Sequence, residues 1–127
     1  MRVRLLVVAV ALIAAVSVSG PLFAHHGTAA FDVTKMVTMK ATITDFQYIN
    51  PHVQIYWDSK NEKGEIEKWQ GELTAPNKLT RAGWTKNTLK PGDQVTISGN
   101  VQANGSHVMW IRKIIGTDGQ PMQLFED

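Results

Sequence analysis

One stretch of alternating apolar and polar residues, whose phase changes partway along, narrows the possible folds more than any other pattern in the chain. In residues 37–49, apolar side chains occupy odd positions as far as Ile43 and even positions from Phe46. Alternation with a period of two predicts a β-strand, and the change of phase predicts a bulge or sharp bend near Thr44 and Asp45. A long, bent first strand is what a small closed barrel needs in order to turn a corner.

The remaining pattern predicts further strands and one short helix. Alternation predicts a second strand over 53–58 and a third over 66–73, joined by a hairpin turn. Pro76 suits the first turn of a helix and Gly83 suits its end, so a short helix is expected between them. The last three predicted strands lie around Val95 and Ile97, over 107–115 and around 122–125.

Three strands, one short helix and then two strands is the order of elements in an OB-fold. We therefore predict an all-β, OB-fold-like antiparallel barrel of five to six strands, with the helix between strands three and four. The alternative is another small antiparallel barrel or sandwich in which the same strands pair differently.

The beginning of the chain has the pattern of a cleaved signal peptide. Met1-Arg2-Val3-Arg4 is a basic start, and residues 5–18 form an almost unbroken apolar run of 14 residues, shorter than the roughly 20 that span a bilayer. Cleavage is expected after Ala24, with a rival site after Ser19, so no membrane anchor should remain. The predicted organisation is a signal peptide over 1–24, an N-terminal arm over 25–36 and a barrel domain over 37–127.

Charge and cysteine content then restrict the partners. The predicted leader contains Arg2 and Arg4, so the 13 Lys and Arg residues fall to 11, which equals the 11 Asp and Glu residues. A neutral domain lacks the basic surface that nucleic acid or anionic lipid requires. The chain has no cysteine, so an oxidising compartment is tolerated but supplies no disulfide. We expect a single periplasmic or secreted domain that does not bind nucleic acid.

All four histidines of the chain are candidates for one metal site. Cleavage at the predicted position would make His25 the first residue, where its α-amine and its ring nitrogen can chelate the same ion. A third nitrogen from His52 gives a ligand set that suits copper(II), with His26 or His107 assisting. The α-amine must lose its proton to bind, and a strongly bound metal ion promotes that loss.

Each histidine also has an explanation that involves no metal. His25 and His26 can form an unattached chain end, His52 can hydrogen-bond a loop carbonyl, and His107 can be a surface residue at the start of a strand. In an OB-fold, the loops that carry His52 and His107 lie on the same side of the binding face, so a shared site is permitted.

Aromatic residues suggest a second kind of binding surface. Tyr48, Tyr56 and Trp69 can form a stacking surface on strands one to three, where OB-folds bind oligosaccharides. The alternative function is therefore a metal-free binding or accessory module for a small ligand, a glycan or a protein partner. The tryptophans also suit the barrel core or its plug.

Catalysis has little support in the sequence. There is no cysteine nucleophile, no Gly-x-Ser-x-Gly elbow and no phosphate loop, and the dipole of the following helix accounts for Glu72. Redox chemistry at a copper centre is the only plausible reaction, and we expect a binding protein in preference to an enzyme.

Six short motifs run from the cleavage junction to the fourth predicted strand: Ala24-His25-His26, Phe31-Asp32, Asn50-Pro51-His52, Pro76-Asn77 with Leu79, Gly83-Trp84, and Leu89-Lys90-Pro91-Gly92-Asp93. As a set, they resemble an uncharacterised family of small secreted bacterial proteins, a domain of unknown function. The resemblance implies a periplasmic location and supplies no activity. The family's usual pattern has the His-His opening and the Asn-Pro-His turn, but no fixed histidine where His107 stands.

Overall fold

The computed structural model of the protein describes residues 30–125, which form five strands and one short helix. The elements in chain order are β1 (Phe31–Gln47), β2 (Gln54–Lys60), β3 (Ile66–Glu72), α1 (Pro76–Arg81), β4 (Gln94–Gln102) and β5 (Val108–Ile115). The strands close into a ring in the order β1-β2-β3-β5-β4. The prediction of a small OB-like barrel with one helix between strands three and four is confirmed.

The bend in β1 lies where the change of phase predicts it. Ile43 pairs with Trp57 and Asp45 with Tyr56, so Thr44 is the extra residue of a β-bulge. At Thr42 the strand pairs with both of its neighbours, β2 and β4. Before that point β1 pairs with β4 alone, and after it with β2, which allows one strand to close the ring.

β1 begins at Phe31, earlier than the alternation indicates, because its first part is irregular. Phe31 pairs with Gln102 and Met36 with Asn100, so the four residues between Phe31 and Met36 face a single residue of β4. The buried Asn100 side chain donates hydrogen bonds from Nδ2 to the carbonyl oxygens of Asp32 at 3.1 Å and Lys35 at 2.9 Å. These bonds satisfy carbonyls that a regular ladder would have paired.

The ring closes through a parallel pair between β3 and β5, and the other pairs are antiparallel. β3 and β5 can run parallel because α1 and β4 lie between them in the chain. Gly71 pairs with Met109 at this seam. A Cβ atom at Gly71 would lie 2.5 Å from Ile111 Cδ1 and 2.7 Å from Trp57 Cζ3, so only glycine fits without a shift.

The barrel core is apolar, and α1 covers one end of it. Most of the fully buried side chains come from β1, β2, β4 and β5, including Ile43, Ile55 and Trp57, and the partly buried Trp69 of β3 packs against them. Pro76 occupies the start of α1, and the fully buried Leu79 inserts into the core. Tyr48 fixes the helix from outside, since its hydroxyl donates to the Pro76 carbonyl at 2.9 Å.

The end of the described chain packs on the barrel without forming the predicted sixth strand. Pro121 makes an isolated bridge to Ile115, and the Met122 amide donates to the Ile114 carbonyl at 2.9 Å. The Trp84 indole donates to the Gln123 carbonyl at 2.7 Å, and Leu124 is buried. From residue 120 onward, the backbone is therefore held by isolated hydrogen bonds and not by a continuous β-ladder. Among residues 30–125, no helix is long and apolar enough to cross a membrane.

Candidate functional site

His52 lies on the outside of the barrel between β1 and β2. It follows a cis Asn50–Pro51 peptide bond and precedes Val53, which is fully buried. The Val53 amide donates to the Thr74 carbonyl at 3.2 Å, and the Leu73 amide donates to the Val53 carbonyl at 2.9 Å. Because Val53 is fixed with its side chain inward, the position of the preceding His52 is fixed as well.

Two side chains from neighbouring strands contact the His52 ring. Nδ1 of His52 lies 3.5 Å from Oε2 of Glu72 on β3. The ring centroid lies 5.6 Å from that of Trp110 on β5, with the two planes at 78°. Glu72 and Trp110 are direct partners in the parallel β3–β5 register, so they share a face of the sheet. His52 therefore sits over the outer face of the seam that closes the barrel.

Trp110 also contacts Phe31, the first residue of β1. Its ring centroid lies 6.2 Å from that of Phe31, which is buried although it stands at the beginning of β1. Phe31 therefore fixes the beginning of β1 against the outer face of the barrel. Since the Phe31 and His52 rings lie 6.2 and 5.6 Å from the Trp110 ring, they are at most about 12 Å apart.

Next to this contact, the first residues of β1 form a small polar turn. The Thr34 hydroxyl donates to Asp32 Oδ1 at 2.6 Å and the Thr34 amide donates to the same oxygen at 3.0 Å. These bonds hold the pKa of the exposed Asp32 carboxyl below its usual value, with the hydroxyl bond as the largest cause. Asp32 thus remains a carboxylate beside Phe31 over a wider range of pH than a free aspartate.

His107 belongs to a different cluster. Its ring stacks on Trp69, with centroids 4.5 Å apart and planes at 15°, and Trp69 in turn stacks on Trp57 at 6.2 Å and 11°. Nε2 of His107 lies 3.8 Å from Oε2 of Glu67. That carboxylate also accepts hydrogen bonds from Asn61 Nδ2 at 3.2 Å and from Trp69 Nε1 at 3.4 Å.

The structure does not bring His52 and His107 together. Their carboxylate partners, Glu72 and Glu67, stand five positions apart on β3, which at about 3.3 Å per residue separates them by roughly 16 Å. Five is an odd number, so the two carboxylates also lie on opposite faces of the strand. Within residues 30–125 no three or more His, Cys, Asp or Glu side chains are placed to hold a metal ion. The predicted ligands His25 and His26 lie outside the described residues.

Several residues of the His52 cluster could not be identified from the sequence. Glu72 was assigned to the helix dipole, but no acidic residue lies in the first turn of α1, and the side chain contacts His52 instead. The expectation that the tryptophans fill the core or its plug does not hold for Trp110, which is half-buried outside the core cluster. Its contacts with His52 and Phe31 depend on strand pairing across the whole chain.

The predicted aromatic surface is not formed as a free platform. The Tyr48 hydroxyl is bonded to α1, and Trp69 already stacks on Trp57 and His107. A groove of about 720 Å³ lies elsewhere, along residues 38–42 of β1, 58–60 of β2 and 94–96 of β4. Lys40, Lys60 and several threonines line it, together with the exposed Ile66.

Fold and side chains together define a small all-β barrel domain with an imidazole and a carboxylate paired on its outer face. The chain belongs to a family of unknown function (DUF6152), whose family model matches residues 12–109. The resemblance found in the sequence motifs is thus confirmed at the level of an uncharacterised domain. No curated protein and no solved structure matches the chain.

Proposed function

We propose that this protein binds copper(II) in the periplasm or outside the cell, through His25 as the mature N-terminus and His52 on the barrel. The α-amine and imidazole of His25 would supply two nitrogen ligands, and His52 would supply a third. His26 is a further donor next to the first. His107 is left out of the proposed site, because it stacks on Trp69 and pairs with Glu67 at the other end of β3.

The main support for this proposal is that Phe31 and His52 both contact Trp110. Phe31 and His52 both pack against that indole, so the chain enters the barrel close to His52. His25 precedes Phe31 by six residues, and a chain of six residues extends about 20 Å at roughly 3.3 Å each. This reach exceeds the separation of about 12 Å between the Phe31 and His52 rings. The N-terminal amine can therefore meet His52 without unwinding β1.

The chemistry of the donors supports copper in particular. Nitrogen ligands bind copper(II) more tightly than the other divalent first-row metals. The site has no cysteine that would favour zinc or an iron–sulfur cluster. The proposal is for binding and not for catalysis, since it names metal ligands and no reacting group.

The test is a titration of copper(II) into the exported, processed protein, monitored by calorimetry and by electron paramagnetic resonance. The expected result is one copper ion per chain. One alanine inserted before His25 should weaken binding sharply, because it displaces the amine and leaves every imidazole in place. His52→Ala should weaken binding as well, and His107→Ala is the matched control that should bind as the native protein does.

Equal affinity of the native and the extended N-terminus would overturn the proposal and reduce the opening histidines to a loose metal-scavenging tail. The second candidate function would then replace it. That candidate is a metal-free module that holds a small polar ligand, and the groove lined by Lys40, Asp58, Lys60 and several threonines favours it because its volume is in the usual range for ligand sites.

A further inference from the structure

We propose that β1 binds an extended peptide segment of a partner protein along its free edge, which is the side of residues 36–41 that faces away from β4. The peptide pairs with Thr38 and Lys40 as an additional strand, in the groove lined by residues 38–42 of β1 and 58–60 of β2. This site shares no residue with the proposed copper site, so neither proposal depends on the other.

β1 has a free edge because it separates from β2 partway along. In the described chain, β2 pairs with β1 only from Thr42 onward, whereas β4 pairs with β1 from Thr42 back to Met36. The other edge of residues 36–41 therefore has no described strand beside it. Ser59 marks the point of separation, because its hydroxyl donates to the Lys40 carbonyl at 2.8 Å.

The hydrogen bonds between β1 and β4 show which residues face the free edge. The Ile43 amide donates to the Asp93 carbonyl at 2.8 Å, so the backbone of Ile43 is directed toward β4. In an antiparallel ladder, successive residues direct their amide and carbonyl groups to opposite edges. The register between β1 and β4 has no shift over residues 36–42, so Thr38 and Lys40 direct these groups to the free edge.

An extended peptide is the ligand whose chemistry matches such an edge. Its amide and carbonyl groups alternate with the same spacing as those of β1, so it can form a row of main-chain hydrogen bonds. A small polar ligand, as in the second candidate function, can satisfy only one or two of these groups. The unpaired backbone therefore favours a peptide as the occupant of the groove.

The charges in the groove favour an acidic peptide. Lys40 and Lys60 are exposed in its lining, and neither forms an ion pair within the described chain. Asp58 is the one acidic residue of the lining, and its Oδ1 lies 3.5 Å from Lys68 Nζ. The charge that is left without a partner is thus positive, and a carboxylate on the peptide complements it.

The same charges disfavour a second copy of this chain as the occupant. A second copy would bring its own β1 to the edge, and residues 33–42 contain two lysines and no acidic residue. This strand would add positive charge to a groove that Lys40 and Lys60 already line. Like charges brought together across an interface oppose association, so a partner with acidic side chains fits better.

The face of β1 beside the free edge predicts the spacing of side chains in the peptide. Met36 is 61% exposed and lies four positions before Lys40, so both side chains are on one face of the strand. A paired strand places its residues directly opposite those of β1. We therefore expect an apolar residue opposite Met36 and an acidic residue opposite Lys40, four positions apart in the peptide.

The test begins with selection from a phage-displayed library of random peptides on the exported, processed protein. The enriched sequences are expected to share an acidic and an apolar residue four positions apart. A synthetic peptide of enriched sequence should shift the amide NMR signals of Thr38 and Lys40 more than those of Tyr56 and Gln70, which pair on the β2–β3 face. Enrichment of no sequence, or shifts confined to the β2–β3 face, would overturn the proposal.

A proline at position 38 tests the main-chain pairing. Thr38→Pro removes an amide that faces the free edge and takes no part in the ladder with β4, which is where a strand tolerates proline. Thr38→Ala is the matched control, because both variants lose the hydroxyl contact with Ser98 and only the proline variant loses the amide. Peptide affinity, measured by fluorescence anisotropy, should fall about 2- to 10-fold further in Thr38→Pro, as expected for one hydrogen bond. Equal affinities of the two variants would contradict the edge pairing.

N-methylation of the peptide makes the test independent of damage to the protein fold. Methylating one amide at a time should weaken binding about 10-fold or more at positions whose N–H faces β1, and have little effect at the alternate positions. A loss that did not alternate along the peptide would show that it does not bind as a strand.

Two further measurements test the charge and the choice of occupant. Lys40→Glu should weaken binding of the acidic peptide, whereas Lys86→Glu, an exposed position outside the groove, should not. Equal effects would leave only a general dependence on net charge and would refute recognition by the groove. Sedimentation velocity of the protein alone should show a monomer. A dimer that Thr38→Pro dissociates would mean that a second copy occupies the edge, and the peptide proposal would be wrong.

Discussion

Asn100 should be one of the most sensitive polar positions in the molecule, because its side chain replaces part of the β1–β4 ladder. It is almost fully buried, at 5% exposure, and its Nδ2 donates to the carbonyl oxygens of Asp32 and Lys35. Removing these two donors leaves two carbonyl groups of β1 without partners. The segment between Phe31 and Met36 then has no regular pairing to hold it.

The expected loss in the free energy of unfolding follows from these two hydrogen bonds. Each hydrogen bond contributes a net of about 0.5–1.5 kcal/mol, so Asn100→Ala should lower the free energy of unfolding by roughly 1–3 kcal/mol. Asn100→Asp should lower it further, because a buried carboxylate has no hydrogen to donate and repels both carbonyl oxygens. The two variants differ in size and charge but lose the same donors, so their order tests the mechanism.

Urea denaturation, monitored by tryptophan fluorescence, measures the loss in the free energy of unfolding. Hydrogen exchange of the amides in residues 32–36 shows whether the loss is global or confined to this segment. Thr38→Ala is the control on the same strand pair, since it removes the single hydroxyl contact with Ser98 at 2.8 Å. It should cost less than about 1 kcal/mol. If both Asn100 variants also stayed within about 0.5 kcal/mol of the native protein, the ladder-replacing role would be refuted.

Two other predictions test export and packing. Intact mass of the exported protein should place His25 at the N-terminus, whereas a mature form beginning at Gly20 would remove the amine–imidazole chelate and contradict the proposed site. Gly71→Ala should destabilise the barrel by roughly 1–3 kcal/mol through overpacking, as measured by thermal unfolding. Ile111→Val removes the nearest atom, Cδ1, so it should recover part of that loss in the double variant, and full additivity would contradict the steric explanation.

The features that sequence could predict are those with local causes. The bulge at Thr44 leaves a change of phase in the chain itself, and the start of α1 is signalled by Pro76. The order of strands and helix then limits the topology to few alternatives. The irregular pairing between Phe31 and Met36 breaks the period-two pattern that marks a strand. The alternation therefore predicts a start at residue 37, whereas β1 begins at Phe31.

The site depends on contacts that no local pattern records. Glu72 and Trp110 stand 38 positions apart in the chain and meet only because β3 and β5 pair in one particular parallel register. A shift of that register by one residue would turn Trp110 to the other face of the sheet. His52 was identifiable as a candidate ligand from its turn, but its partners could not be derived without the closed ring.

The two imidazole–carboxylate pairs on β3 differ in how easily a metal ion could recruit them. His107 lies flat on Trp69, and its partner Glu67 already accepts bonds from Asn61 and Trp69. Turning His107 toward an ion would give up an aromatic stack of about 0.5–1.5 kcal/mol. His52 meets Trp110 edge to face at 78°, an arrangement of similar worth, so the aromatic contacts alone do not separate the two histidines. The difference between the two pairs therefore rests on Glu67, which is already bonded to Asn61 and Trp69.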